Sequence, residues 1–293
     1  MKMHIVFSSQ CLEYGERGHP ESPERVYNTY ILLKEKGFKF VKPEPCREED
    51  LLLVHSKEFL KRVKEGKLND PDTPNIPGIY HYAKLSAGGA LKAMKLALNG
   101  DIAFSLMRPP GHHSGRNGVA LNAPSLGFCY FNNVAIACVK AMTIQEVMRV
   151  AIIDIDCHHG NGTQEIFLGN PKVLFVSLHR FGFFYPGTGA KSEGNCLNYP
   201  LRWDTTESEY IRKLNLALKE VEKFNPELVA VSTGFDTYRL DPIGGLGLSK
   251  EAYTTIGRMI YNLNRRTFLV LEGGYSRDMH ECVYNLLVGL EGE

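Results

Sequence analysis

The stretch Val150-Ala-Ile-Ile-Asp154-Ile-Asp156-Cys157-His158 decides how this chain folds. Its opening residues are wholly apolar and lack period-two alternation, as expected of a strand covered on both faces of a parallel sheet. It then ends in two carboxylates and an imidazole. Residues two apart on an extended chain point the same way. Asp154, Asp156 and His158 would thus share one side, with Ile155 and Cys157 on the other. Carboxylates on a buried strand repel each other and lose hydration, so they need cations close by. A divalent metal supplies that charge. An edge strand with a solvated acidic face is the bland alternative, and the apolar run before Asp154 weighs against it.

Outward from this stretch, similar β-rich runs lie at 4–8, 102–107, 173–179, 228–233 and 268–272, with the central one spanning 150–156. Helical patterns fall between them, at 23–36, 57–64, 83–98, 133–148, 206–224 and 249–263. Thr206 and Glu209 form a capping box at one helix start. Such alternation predicts an α/β fold: an open parallel sheet with helices on both faces. Five of the strands run into unusual polar residues at their carboxyl ends: Arg108-Pro-Pro-Gly-His112-His113, Asp154 to His159, His179-Arg180, Gly234-Phe-Asp236 and Glu272-Gly-Gly-Tyr275. Ligands bind at that edge of open α/β sheets, so one site built from five loops is expected there.

The chain has 293 residues, a length that suits one large domain over 1–293. Lys and Arg number 34 against 33 Asp and Glu, a net charge of +1. That balance speaks against a nucleic-acid binder, and 43% hydrophobic residues with 23% charged speaks against disorder. The seven cysteines are scattered, with no C-x-x-C, so neither a disulfide framework nor a cysteine zinc knuckle is expected. MKMHIVFSSQ reads as a first strand and not as a signal peptide, and no run of 18 apolar residues marks a membrane span. These features predict a cytoplasmic protein.

Asp236 is the expected third ligand. Together with Asp156 and His158 it would make a three-ligand centre with an open position, although an aspartate after a strand is more often a helix N-cap. His112 and His113 could ligate a metal, act as acid and base, or be plain loop histidines. Each imidazole needs a partner to fix its tautomer, and Asp154 and Asn161 are the candidates. A neutral Asn partner leaves an imidazole less basic and ready to accept a proton. Tyr275, after two glycines, could donate a hydrogen bond to a developing oxyanion. Gly127-Phe128 and the run Phe181-Gly-Phe-Phe-Tyr185 could wall a narrow apolar channel or pack as ordinary core. Phe183 and Phe184 cannot both face it.

These motifs in this order resemble the zinc-dependent histone deacetylase superfamily, which includes the acetylpolyamine amidohydrolases. The matching stretches are Arg108–His113, Gly127–Asn133, Asp154–Gly162, Ser177–His179, Pro186–Gly189, Gly234–Asp236 and Glu272–Tyr275, with His19-Pro-Glu-Ser-Pro-Glu-Arg25 near the start. The resemblance implies Zn²⁺ on Asp156, His158 and Asp236. It implies His113 as general base and then acid, with Asn161 as its partner, and His112 as a charged neighbour paired with Asp154. Asn at 161 is similar to the class II-like branch. Tyr275 would bind the oxyanion. Gly127, Phe128 and Tyr185 would line the tunnel, where the family often has Phe in place of Tyr185. Asp72 would orient substrate at the rim, and Arg25 would lie near an internal acetate exit. A structural K⁺ would be held at Asp154, Asp156, His158, Ser177 and Leu178.

The activity implied is hydrolysis of acylated amines, such as acetyl-lysine in a protein or a small acetylated amine, without nucleic-acid or membrane partners. Ile243 stands where polyamine-selective relatives resemble one another in having Glu, which weighs against strict polyamine selectivity. Glu21 and Asp72 remain as sources of negative charge near the entrance. Rival readings are a binuclear manganese ureohydrolase, whose Asp-x-His-x-Asp pattern is missing, and a non-catalytic acyl-group binding protein, which would be expected to lack Tyr275 or a histidine. Oligomeric state is not legible.

Overall fold

The computed structural model describes residues 2–144 and 146–292. In chain order the strands are β1 (Met3–Val6), β2 (Lys39–Val41), β3 (Ile102–Ser105), β4 (Ser114–Gly115), β5 (Gly118–Val119), β6 (Val150–Asp154), β7 (Val173–Arg180), β8 (Cys196–Leu201), β9 (Leu228–Thr233) and β10 (Arg266–Leu271). The α-helices are α1 (Pro23–Glu35), α2 (Glu48–Leu51), α3 (Lys57–Lys64), α4 (Ile79–Leu98), α5 (Asn133–Ala141), α6 (Asn161–Phe167), α7 (Glu207–Phe224), α8 (Ala252–Tyr261) and α9 (Met279–Leu290). Eight strands form one sheet in the order β2-β1-β3-β10-β9-β6-β7-β8, and β4 pairs with β5 in a small hairpin. Every pairing in the large sheet is parallel.

The apolar runs become strands because each side chain has a core to enter. On β6, Ala151 and Ile153 enter one hydrophobic core while Val150 and Ile152 enter the other. On β9, Val229 and Val231 point one way and Leu228 and Ala230 the other. One core is closed by α1, α7, α8 and α9 through Leu33, Leu214, Ile256 and Leu286. The other is closed by α3, α4 and α5 through Phe59, Met94 and Ile136. Burial of this kind, at roughly 25 cal/mol per Å² of apolar surface, holds the layers together.

Some expected boundaries move and one cap stands. The central strand ends at Asp154, not 156, because the chain turns there: Asp154 Oδ1 accepts from Asp156 N at 3.1 Å, and Asp156 Oδ1 from His158 N at 2.8 Å. Such aspartate-capped turns compete with the ladder. Helix α5 stops at Ala141, where Thr143 Oγ1 turns back to Lys140 O at 2.7 Å. At α7 the Thr206 hydroxyl accepts from Glu209 N at 3.3 Å, as the capping box predicts for its first half.

Among the described residues, no helix is long and apolar enough to cross a membrane.

Candidate active site

The carboxyl ends of β3, β6, β7, β9 and β10 meet at one edge. The turn after β6 brings Asp156 and His158 together, and the turn after β9 brings Asp236 to them. All three are buried, and each offers a ligand atom within 4.8 Å of the others. His158 Nδ1 stands 3.1 Å from Asp156 Oδ1 and 2.8 Å from Asp236 Oδ2. Asp236 Oδ1 accepts from Cys157 N at 2.8 Å, whereas its buried Oδ2 has only His158 Nδ1 close by, out of line for a hydrogen bond. An unpartnered buried carboxylate oxygen is costly unless a cation meets it. Burial, and then the Asp156 carboxylate, push the Asp236 carboxyl up to about 7, although His158 pulls against them. Two carboxylate oxygens and one imidazole nitrogen with this spacing fit a divalent metal of the zinc type. Gly273 keeps the cradle open: a Cβ there would lie 2.6 Å from Asp156 Oδ2 and 2.7 Å from Asp236 Oδ2.

His112 and His113 follow β3 and lie against this cluster, their ring centroids 4.0 Å apart. His112 Nδ1 is 2.9 Å from Asp154 Oδ2. Burial opposes its protonation, but Asp154, Asp156 and Glu272 outweigh that and push it up to about 10. His113 Nδ1 is 2.7 Å from Asn161 Oδ1, and Asn161 Nδ2 donates to Ala120 O at 2.9 Å. That second bond fixes the amide's orientation, so His113 carries its proton on Nδ1 and presents a bare Nε2. Burial, and then the neighbouring His112 and His158, hold His113 well below its usual range. The two rings thus have different partners, a carboxylate on His112 and a neutral amide on His113, and their proton affinities are pushed in opposite directions.

Tyr275 is half-buried beyond the Gly273-Gly274 turn. Its ring meets Phe128 edge-on at 5.7 Å, and the Arg25 guanidinium lies 4.6 Å over it. Burial raises the phenol well above 10, and Asp156 and Asp236 add to the rise while Arg25 opposes it, so it is a donor at neutral pH.

The aromatic walls sort themselves. Phe184 stacks on the His158 ring at 4.8 Å and 11°, and Tyr185 meets the His113 ring edge-on at 4.9 Å, whereas Phe183 is fully exposed. The Tyr185 hydroxyl donates to Ser125 O at 3.0 Å, tying two walls together. Gly127 must be glycine, because a Cβ would lie 2.4 Å from the His113 ring and 2.6 Å from the Tyr185 hydroxyl. Phe128 stands at φ 69°, in the left-handed region that a bulky residue rarely adopts. Its N–H is held by Thr73 Oγ1 at 3.0 Å.

Ser177 lies opposite Asp154 in the β6–β7 register, and Leu178 is buried beside it. The residues expected around K⁺ are therefore neighbours, and Ser177 Oγ is also 2.9 Å from His179 Nδ1. Asp72 has a different occupation from a free rim carboxylate: it accepts from Ser125 Oγ at 2.5 Å, Gly127 N at 3.1 Å and Thr73 Oγ1 at 3.1 Å, bracing the loop that carries Gly127 and Phe128.

This geometry sits on a chain whose residues 19–290 match the family model described as the histone deacetylase domain. The chain belongs to that family. It is 38% identical to a "probable deacetylase" of Archaeoglobus fulgidus, over 93% of this chain and 81% of the relative. It is 37% identical to a "histone deacetylase-like amidohydrolase" of Pseudomonas aeruginosa, over 88% of this chain and 73% of the relative. The crystal structure of the HDA15 HD domain superposes with a TM-score of 0.90 at 31% identity, covering 100% of this chain and 90% of that one.

Several residues around the site escape a linear reading. Glu21 is not a source of charge at the entrance: it is buried in a bidentate pair with Arg108, at 2.6 and 2.7 Å, and accepts from Arg25 Nη1 at 3.0 Å. Arg25 in turn donates to Glu272 O and Gly274 O, each at 2.5 Å. The Glu272 carboxylate accepts from Gly111 N at 2.7 Å, His112 N at 3.1 Å and Ser232 Oγ at 3.1 Å, so it seats the histidine loop. The motifs His19–Arg25, Arg108–His113 and Glu272–Tyr275 mark these residues in the sequence but name none of these partners.

Proposed function

We propose that the chain is a zinc-dependent amidohydrolase that removes acetyl or related acyl groups from acylated amines such as acetyl-lysine. The observation that carries this is the contact between a three-donor cluster and a pair of histidines with different partners, the Asp154 carboxylate on His112 and the Asn161 amide on His113. Family membership supports the deacetylase reading. Zinc on Asp156, His158 and Asp236 would polarise the acyl carbonyl and acidify a water molecule.

The chain's own groups do the rest. His113 Nε2 takes a proton from the attacking water. His112, charged and anchored by Asp154, stabilises negative charge that builds on the reacting atoms. Tyr275 donates a hydrogen bond to the acyl oxygen as it gains charge. The carbon–nitrogen bond then breaks while His113 returns its proton to the leaving amine. Water adds across the amide, and a free amine and a carboxylic acid are formed. Asn161 keeps His113 in the accepting tautomer throughout. Gly127, Phe128 and Tyr185 line the passage for an unbranched amine chain, with Asp72 bracing its wall from the rim.

K⁺ beside Asp154, Asp156, His158, Ser177 and Leu178 would offset carboxylate charge that one zinc leaves over. Residues 1–293 would act as one catalytic domain in the cytoplasm.

Steady-state rates of the zinc-loaded enzyme on acetyl-lysine peptides, N-acetylputrescine and N-acetylspermidine test the reading, with elemental analysis alongside. One zinc per chain and fastest turnover of the peptides are expected, given Ile243 where polyamine-selective relatives resemble one another in having Glu. Tyr275→Phe should lower kcat at least about tenfold, or about 1.4 kcal/mol of barrier, and keep its zinc. Asp236→Ala should lose zinc. Two metals per chain, or Tyr275→Phe turning over at the parental rate, would sink the proposal.

A further inference from the structure

Asp241 is buried, 7% exposed, five residues beyond Asp236 and outside the reacting groups. Its Oδ1 accepts from Ile243 N at 2.9 Å and Gly244 N at 3.0 Å. Its Oδ2 accepts from Tyr275 N at 2.6 Å and Ser276 N at 3.0 Å. The same loop is fastened to the metal cluster, because Gly245 N donates to Asp236 O at 2.8 Å. One carboxylate thus spans the loop that carries Asp236 and the turn that carries Tyr275.

Upstream, that turn is held at Gly273, whose N–H donates to Asp156 Oδ2 at 2.8 Å and whose carbonyl accepts from Phe235 N at 3.0 Å. Gly273 and Gly274 bring no side chains, and Gly274 sits at φ 119°. Arg25 grips the carbonyls of Glu272 and Gly274, and Asp241 grips the next two N–H groups. Cation on carbonyls and anion on amides clamp the peptide units on either side of the Tyr275 Cα. Four donors converge on Asp241, and only an acceptor-only side chain satisfies them all. The isosteric amide would turn N–H groups toward N–H groups at one pair.

We propose that Asp241 is a positioning residue that fixes the Tyr275 hydroxyl relative to the Asp156–His158–Asp236 cluster. The inference rests on the reading of Tyr275 as hydrogen-bond donor to the acyl oxygen.

The test is a double-mutant cycle in the zinc-loaded enzyme on an acetyl-lysine peptide, combining Asp241→Asn with Tyr275→Phe. Alone, Asp241→Asn should lower kcat about tenfold or more, as small misplacements of a reacting group do. KM should stay within about twofold and zinc content at one per chain. In the Tyr275→Phe background the same change should alter kcat less than about twofold, because the hydroxyl it positions is gone. A merely structural role would lower kcat equally in both backgrounds, and that result overturns the inference. So does a parental kcat in Asp241→Asn while Tyr275→Phe is slow, which leaves the reading of Tyr275 standing. A parental kcat in Tyr275→Phe overturns both. Should Asp241→Asn fail to fold, Asp241→Ser carries the same cycle with the same criteria.

Discussion

His55 is a buried imidazole that the fold holds neutral, and its loss of proton affinity sets a measurable pH dependence. It follows α2 and packs between the rings of Phe59 and Phe131, with centroids at 5.4 Å from each. Nδ1 is 2.9 Å from Gly115 O, and Nε2 accepts from Asn132 N at 2.9 Å. This fixes the tautomer with its proton on Nδ1 and ties the end of the histidine loop to the residue capping α5. Protonation of Nε2 would break the bond to Asn132. Burial, with some repulsion from Arg116, lowers its pKa from 6.5 to about 4, against the pull of hydrogen bonds to Gly115 and Arg116. The unfolded chain therefore binds this proton as pH falls through 6.5, and the folded chain does not until about 4. Stability from this group is fully present above 6.5 and drains away between 6.5 and 4. At about 1.4 kcal/mol per tenfold, the gap is worth about 3 kcal/mol, a large part of a typical total of about 5–15 kcal/mol. His55→Gln keeps a donor for Gly115 and an acceptor for Asn132 but does not titrate. Urea unfolding of both proteins at pH 7.5 and 4.5, in chelator so that metal release does not enter, isolates the term. The parent should lose about 2–3 kcal/mol more than the variant between these conditions. Equal losses would show that the fold does not hold this ring neutral.

Two further perturbations probe the frame of the site. Glu21→Gln leaves the Arg108 and Arg25 guanidinium groups without their shared anion in a buried place, and unfolding free energy by chemical denaturation should fall by about 3–5 kcal/mol; a loss below about 1 kcal/mol would mean that the carbonyls around Arg108 suffice. Gly273→Ala would push a methyl against Asp156 Oδ2 and Asp236 Oδ2, so zinc affinity by competition with a chelating dye should drop at least about tenfold, or about 1.4 kcal/mol, with an unchanged far-UV CD spectrum. Unaltered zinc affinity would place the metal elsewhere.

Much of the fold was legible because its central strands have two covers. A run such as Val150–Ile153 has no polar face to offer water, so its place in a parallel sheet follows from composition. Strand β8 hid because Asn198 and Pro200 interrupt its pattern; at the sheet edge, proline costs no ladder bond on the open side. Helix α6 hid behind Asn161-Gly-Thr, which reads as a loop until His112 and Ser114 pack against it. Helix α9 went unread although Met279, Cys282, Val283, Leu286, Leu287 and Leu290 fall at helical spacing, on the face it buries against α1 and α8. In the site, Asp156, His158 and Asp236 could be found because each breaks an apolar run. The partnership of Glu21 with Arg108 could not, since 87 residues separate them and Glu21 alone reads as a charge near the entrance. Asp241 carried no signal either, because its four partners are backbone N–H groups, which no side-chain pattern records.

The strand order has a consequence for how the chain is made. β9 and β10 are synthesised last among the strands, yet they fill the middle of the sheet, between β3 and β6. Until residues 228–271 leave the ribosome, the nascent chain carries two half-sheets with raw edges that face each other across a gap. Unpaired edges of this kind invite pairing with other chains. A nascent chain stalled before Leu228 would therefore depend on chaperones to stay dispersed, and it would lack Asp236, Glu272 and Tyr275, so hydrolytic competence arrives only with the closing of the sheet.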